Sequence, residues 1–224
     1  TWFAFSTRAR VIIYNRSAVK AEEVQTYESL ADPQLKGKLC SRSGAHPYNL
    51  SLVSSLIAHN GEAKTEAWAR GVVANLARAP KGGDTDQIKA VAAGECGVAV
   101  SNTYYLARLI RSDKVDDRRM MERVGIVWPN QATTGTHINI SGGGMVKTSK
   151  NQESAVKFLE YLASDDAQRY FADGNNEWPV VEGVATSNPA LTALGKFKAD
   201  LLPIGQLAKN MVAAQMVLDR AGYR

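Results

Sequence analysis

A short apolar strand leads directly into a helix in the stretch Gly97-Val98-Ala99-Val100-Ser101-Asn102-Thr103-Tyr104-Tyr105-Leu106-Ala107-Arg108. The residues at 97–100 are typical of a buried strand, and two adjacent tyrosines follow where the helix begins. Junctions of this kind are where open α/β sheets present groups to ligands. Neighbouring side chains diverge by about 100° on a helix and about 180° on a strand, so two adjacent phenols share a ligand most easily at such a junction.

Other strands and helices alternate around this junction. Apolar runs predict strands at 2–5, 10–15 and 37–40, and a helix over 84–93 is capped by Asp84 or Thr85. This alternation is typical of a mainly parallel sheet with helices on both sides. A later amphipathic helix is predicted over 152–163, capped by Asn151, with its apolar side chains facing inward: Val156, Leu159 and Leu162.

Composition excludes several classes of protein. The 224 residues are 45% hydrophobic and 22% charged, which suits one large or two small globular domains. No apolar run approaches the roughly 18 residues of a membrane span. The net charge of +5 comes from scattered basic residues, not from the one-sided patch that binds nucleic acid. Because no signal peptide precedes Thr1 and strand-like sequence follows it at once, we expect the chain to begin within a fold.

Three tyrosines are candidate metal ligands: Tyr48, Tyr104 and Tyr105. Phenolate oxygen suits a small, hard cation such as Fe(III), and a highly charged cation can deprotonate its ligands. Three tyrosinates would neutralise its charge. The alternative is that these side chains pack in the core with their hydroxyls hydrogen-bonded.

The loop Ser43-Gly44-Ala45 is a candidate anion site, because its small residues lie between a strand and a helix and allow N–H groups to converge. An ordinary turn is the alternative. The histidines have no partner at metal-ligand spacing, and no Gly-x-Ser-x-Gly nucleophile motif is present. The sequence therefore gives no support for an enzyme.

The two cysteines, Cys40 and Cys96, each lie eight residues before a candidate tyrosine, Tyr48 or Tyr104. Matching positions on neighbouring parallel strands would bring the two side chains close enough to bridge. The sequence favours a disulfide, and hence an oxidising compartment, over two free thiols.

The order of these features resembles one family. The segments that carry the likeness are Ser43-Gly44-Ala45 with Tyr48, Asp84-Thr85-Asp86-Gln87-Ile88-Lys89-Ala90-Val91, Asn102-Thr103-Tyr104-Tyr105, Ser141-Gly142-Gly143-Gly144 and Asn176-Glu177-Trp178-Pro179-Val180. Together they resemble the bacterial periplasmic ferric-iron-binding proteins of iron ABC transporters, in the type II periplasmic binding protein superfamily. The likeness covers nearly the whole chain, and the tandem tyrosine is its most specific mark.

The resemblance implies roles for particular residues. Tyr104, Tyr105 and Tyr48 would ligate Fe(III). A synergistic anion, carbonate or phosphate, would lie at the loop of Ser43, Gly44 and Ala45. Asn102 would assist as a polar neighbour, and Arg8 or Arg10 would support the site from the hinge strand. Where some relatives carry asparagine, this chain has Asp84.

The resemblance also implies an architecture and a role. It implies an α/β type II fold with two lobes of mixed sheet flanked by helices, one of them incomplete. One lobe would be residues 11–134 plus 186–224, the other residues 1–10 plus 135–185, with hinges near 10 and 134. The protein would be a periplasmic monomer that binds Fe(III) and delivers it to the inner-membrane permease. The alternative is a binding protein of the same fold for a polyamine, thiamine, sulfate or an organophosphate.

Overall fold

The computed structural model describes residues 2–224 as sheets flanked by helices. The strands are β1 (Trp2–Asn15), β2 (Leu39–Cys40), β3 (Val98–Asn102), β4 (Val124–Val127), β5 (Ile138–Gly144) and β6 (Trp178–Pro179). The helices are α1 (Pro47–Asn60), α2 (Glu62–Ala74), α3 (Asp84–Ala93), α4 (Thr103–Ile110), α5 (Val115–Glu122), α6 (Gln152–Leu162), α7 (Asp165–Asn175), α8 (Pro189–Leu194) and α9 (Ile204–Ala221). Short 3-10 turns connect β1 to β2 at Ala21–Val24, Glu28–Ala31 and Pro33–Leu35.

Strand β1 is shared by two sheets. The strands predicted at 2–5 and 10–15 are one continuous strand of 14 residues. Its first half pairs with β5 and β6, and its second half pairs with β3 and β4. The partner changes between Ala9, which pairs with Ile138, and Arg10, which pairs with Asn102.

The prediction of a mainly parallel sheet is wrong. Strands β2 and β3 are parallel, but β1 is antiparallel to β3, β4, β5 and β6. The alternation of helices and strands correctly indicates the parallel β2–β3 pair, because their connection runs through helices. It cannot show that β1 enters between β3 and β4 in the opposite direction.

Helices cover both faces of the β2-β3-β1-β4 sheet. Successive side chains of β1 point to opposite faces, as in any strand. Ile12 and Tyr14 pack against α1, α2 and α9. Val11 and Ile13 pack against α3 and α4. Because residues 11–14 of this strand are buried on both faces, their sequence is continuously apolar and does not alternate.

Helix α6 differs from its prediction. None of its residues is buried, Val156 is 42% exposed, and Asn151 makes no side-chain capping bond. Leu159 and Leu162 are half-buried and line a groove of about 420 Å³ over β5. The helix packs against a strand whose last residues, 142–144, are glycines, so few side chains meet it. Among the helices of residues 2–224, none is long and apolar enough to cross a membrane.

Candidate metal centre

The adjacent tyrosines lie at a strand–helix junction, as predicted. Strand β3 ends at Asn102 and α4 begins at Thr103, so Tyr104 and Tyr105 occupy its first turn. Their ring centroids are 4.2 Å apart, with 31° between the ring planes. Tyr104 is buried and Tyr105 is half-buried. The two phenols are therefore presented together at one edge of the sheet.

Tyr48 approaches this pair from another helix. It is the second residue of α1, and its Oη atom lies 2.8 Å from the Oη atom of Tyr104. Three phenols from two helix N-termini thus meet at one place. Phenolate oxygens in such a cluster are hard, anionic ligands of the kind that a small trivalent cation can deprotonate and bind.

The cluster favours protonated phenols until a cation arrives. Burial raises the pKa of Tyr104, and the neighbouring phenols of Tyr105 and Tyr48 raise it further. Both effects penalise the charged form, because a phenolate here would lose hydration and stand beside other phenol oxygens. A cation among the three oxygens reverses this balance, since it pairs directly with the charge.

Arginines form one wall around Tyr48. The guanidinium carbons of Arg42, Arg10 and Arg8 lie 4.9, 5.8 and 6.0 Å from the centroid of the Tyr48 ring. Positive charge over a tyrosine ring is attracted to its π face. This wall of arginines suits an anionic ligand, and it opposes a free cation that has no anionic ligand.

Asp84 neutralises part of that wall. Its buried carboxylate accepts hydrogen bonds from Arg10 at 3.1 Å, from Arg42 at 2.9 Å and from the backbone N–H of Asn102 at 2.8 Å. The prediction that Asp84 or Thr85 caps α3 is wrong, because the N-cap is Gly83 and its N–H donates to Asp86. A fully buried carboxylate requires paired charge, and the two arginines supply it.

Several buried donors near the phenols lack a partner. Within residues 2–224, the Nε atoms of Arg8, Arg10 and Arg42 and the Nδ2 atom of Asn102 make no hydrogen bond. Buried polar groups in folded proteins are almost always paired, so an unpaired cluster of donors is a distinctive feature. Such N–H groups fit an anion, which accepts several hydrogen bonds at once.

The loop of Ser43, Gly44 and Ala45 is shaped by packing and by Asn49. The Nδ2 atom of Asn49 donates to the Ser43 carbonyl at 3.0 Å, and Ser43 and Ala45 are exposed. Gly44 is buried, and a Cβ atom there would collide with the carbonyl of Tyr223. The glycine is therefore required by the close approach of the chain's C-terminal segment.

His46 was not among the predicted site residues. It precedes α1 and its Nδ1 atom accepts a hydrogen bond from the Tyr48 N–H at 3.2 Å, so it caps the helix that carries Tyr48. Its ring also packs edge-on against the Tyr48 ring, with centroids 4.4 Å apart. Burial and the charge of Arg42 lower the pKa of His46, which favours the neutral ring that capping needs. Its place directly before Pro47 was the available signal, because prolines often begin helices.

The two cysteines lie together behind the site. Cys40 ends β2 and Cys96 precedes β3, and their Cα atoms are 5.8 Å apart in a disulfide. The two cysteines are not at matching strand positions as predicted, because Cys40 pairs with Ala99 and Cys96 lies just before β3, but the parallel pairing of β2 and β3 still brings them close. No group of three or more His, Cys, Asp or Glu side chains able to hold a metal occurs in the part of the chain that the structure describes.

Comparison with known proteins identifies the family. The profile of bacterial extracellular solute-binding proteins matches residues 1–198, which is most of the chain. The chain belongs to this family. The membership confirms the predicted class, a solute-binding protein and not an enzyme.

Individual members of the family are similar along the whole chain. "Iron uptake protein A1" of Synechocystis is 46% identical over 223 residues, which are 100% of this chain and 62% of the relative. A solved structure of a Trichodesmium protein (IdiA, FutA) with iron and citrate ligands is 49% identical, with a TM-score of 0.94 over 100% of this chain and 70% of that chain. Apo FutA2 from Synechocystis is 45% identical, with a TM-score of 0.95, over 100% of this chain and 71% of that chain.

These likenesses confirm the predicted fold, the α/β fold of type II periplasmic binding proteins. They also confirm the resemblance to ferric-binding proteins that the tandem tyrosine indicates. The chain spans less than two thirds of the length of two curated relatives that it matches, 62% of one and 65% of the other.

Proposed function

We propose that this chain is part of the solute-binding component of an iron ABC transporter, and that it binds Fe(III) through Tyr48, Tyr104 and Tyr105. The observation that carries the proposal is the convergence of three phenols, with the Tyr48 and Tyr104 oxygens 2.8 Å apart and the Tyr104 and Tyr105 rings in contact. Relatives of this chain are named for iron uptake and ferric-iron binding, which supports the same solute.

Capture of the ion exchanges protons for metal. The phenols hold their protons in the absence of a cation, because burial and mutual proximity raise the pKa of Tyr104. Fe(III) displaces the protons, and three phenolates then balance its three charges. The arginines beside Tyr48 disfavour a cation that has no anionic ligand.

A synergistic anion, carbonate or phosphate, would complete the coordination. We assign it to the loop of Ser43, Gly44 and Ala45, with Arg8 and Asn102 as hydrogen-bond donors. The unpaired Nε of Arg8 and Nδ2 of Asn102 support this assignment. Arg10 would act mainly by holding Asp84 and Asn102, since both of its bonds at Nη1 go to these residues.

Closure of two lobes would enclose the ion. We propose lobes of residues 11–134 plus 186–224 and residues 1–10 plus 135–185, with hinges near 10 and 134. The change of β1 from one sheet to the other at Ala9 and Arg10 supports the first hinge. The protein would act as a monomer in the periplasm and release Fe(III) to the inner-membrane permease, in keeping with the extracellular family and the predicted disulfide.

Titration with ferric citrate tests the proposal. We expect a visible tyrosinate-to-iron charge-transfer band that saturates at one Fe(III) per chain. Tyr104→Phe should lose most of the band and bind at least about 100-fold more weakly, since a ligand and its charge are both removed. Tyr170→Phe is the matched control, because that ring is 74% exposed on α7. A Tyr104→Phe variant with the original band and affinity would refute the role of the phenols.

A second candidate is a binding protein of the same fold for an anionic solute such as sulfate or an organophosphate. The unpaired guanidinium nitrogens of Arg8, Arg10 and Arg42 favour it over a polyamine or thiamine, whose positive charge they would repel. Thermal shifts with sulfate, an organophosphate, spermidine and thiamine distinguish these solutes. A large shift with an anion, together with no coloured ferric complex, would favour this candidate over iron.

A further inference from the structure

A buried histidine links the helix of Tyr48 to the crossing between the two sheets, the place at Ala9 and Arg10 where β1 passes from one sheet to the other. His137 directly precedes β5 and is only 2% exposed. Its Nε2 atom lies 3.0 Å from the hydroxyl of Ser51 on α1. His137 contacts none of the three phenols by hydrogen bond in residues 2–224, so it does not belong to the metal centre itself.

The direction of this hydrogen bond is fixed by its neighbours. Asn139 donates from Nδ2 to the Ser51 hydroxyl oxygen at 2.8 Å, so the Ser51 hydroxyl proton is free for His137. Burial lowers the pKa of His137 to about 3, which keeps its ring neutral and able to accept at Nε2. Ser51 is therefore held by His137, just before β5, and by Asn139 within β5.

The backbone of His137 is fastened to β1 where that strand changes sheets. The Arg10 N–H donates to the His137 carbonyl at 3.0 Å. The Tyr27 hydroxyl donates to the Arg10 carbonyl at 2.5 Å and accepts from the His137 N–H at 3.1 Å. The segments at Arg10 and His137 are thus hydrogen-bonded to each other and to the hydroxyl of Tyr27.

Ser51 and Tyr48 are spaced to move together. They are three residues apart on α1, which places them on the same side of the helix. A displacement of His137 would therefore be passed to α1 at Ser51. Ser51 lies one helical turn from Tyr48, whose phenol contacts Tyr104.

We propose that the hydrogen bond between Ser51 and His137 positions Tyr48 for the metal, by fixing α1 to the crossing between the sheets. The inference rests on the proposed function, with Ser51 and His137 as positioning residues that touch no metal. Because the bond holds α1 in place beside Tyr104, it would keep the Tyr48 phenol at the ion and so slow iron release.

The test compares two serines of one helix in the 224-residue chain. Ser51→Ala removes the bond to His137 together with the bond from Asn139, so both links from α1 to this segment are lost. Ser54→Ala is the matched control, because that hydroxyl is also buried but its partners are the Leu50 carbonyl at 2.8 Å and the Met211 sulfur at 3.5 Å, away from His137. The loaded proteins are challenged with excess EDTA, and loss of the visible band gives the iron off-rate. We expect a roughly fivefold faster off-rate for Ser51→Ala, the factor equivalent to a hydrogen bond of about 1 kcal/mol, and no change for Ser54→Ala.

A second readout does not need iron. The ring resonances of Tyr48, observed by NMR in the metal-free protein with labelled tyrosine, should shift in Ser51→Ala and stay in place in Ser54→Ala. Equal off-rates and equal Tyr48 signals in the two variants would overturn the inference. If the original chain forms no ferric band, the proposed function fails, and the Tyr48 signals still decide whether Ser51 positions that ring.

Discussion

Replacing Asp84 with asparagine tests how the buried arginines beside Tyr48, Arg10 and Arg42, are stabilised. The Asp84 carboxylate is fully buried and joins Arg10, which is 3% exposed, to Arg42, which is 12% exposed. Asparagine keeps the shape of the side chain and one carbonyl oxygen for the Asn102 N–H. It removes the negative charge, and its amide hydrogens cannot accept from the guanidinium groups.

The expected loss of stability follows from the burial of this pair. Removing one partner of a buried ion pair costs about 3–5 kcal/mol, because the opposite charge stays buried without compensation. The lower end applies here, since Arg10 keeps its bonds to Asn49 and Asn102. We expect Asp84→Asn to lower the free energy of unfolding by about 3 kcal/mol.

Urea unfolding of the metal-free protein, followed by tryptophan fluorescence, measures this loss. Asp86→Asn is the matched control, because Asp86 lies on the same turn of α3, is exposed, and accepts a hydrogen bond from the Gly83 N–H. Asp86→Asn should lower the free energy of unfolding by about 1 kcal/mol at most, the usual contribution of a helix-capping hydrogen bond. Phosphate should restore part of the stability of Asp84→Asn, since it can pair with the released arginines. The reasoning is refuted if both variants lose the same stability, or if phosphate stabilises them equally.

The remaining predictions concern proton release, the disulfide and the anion loop. Since the pKa of Tyr104 is raised, binding of Fe(III) should release protons, and the affinity should fall by about tenfold per pH unit for each released proton as the pH falls. In a weakly buffered titration, Tyr104→Phe should release one proton fewer than the original chain. An equal number of released protons would contradict this. Reduction of the Cys40–Cys96 disulfide, whose partners are 56 residues apart, should lower the free energy of unfolding by about 4 kcal/mol. A melting temperature that is unchanged by dithiothreitol would contradict this stabilising role. Gly44→Ala should cost about 1–3 kcal/mol, because its Cβ collides with backbone, whereas Gly205→Ala meets open space and should cost nothing in the same urea assay.

Much of the fold is predictable because its signals are local. Helix α3 ends where the sequence predicts, at Ala93, since Gly94 adopts the left-handed conformation that ends a helix. The tandem tyrosine at the end of β3 is predictable for the same reason, because an apolar run followed by a helix start is read from adjacent residues. Helix α6 shows the limit of such patterns, since its apolar stripe does not reveal how few side chains β5 offers it.

The candidate site also has features that the sequence predicts and features that only the tertiary structure reveals. The residue types that suit Fe(III), and the family to which they point, follow from the sequence alone, because tyrosine chemistry and motif order are local properties. The contact between Tyr48 and Tyr104, 56 residues apart, follows only from the tertiary structure. The same is true of Asp84, whose carboxylate looks like a helix cap in the sequence and is instead the counter-ion of two arginines from distant segments. Burial and long-range charge pairing set these roles, and both depend on how β1 threads between β3 and β4, which no local pattern encodes.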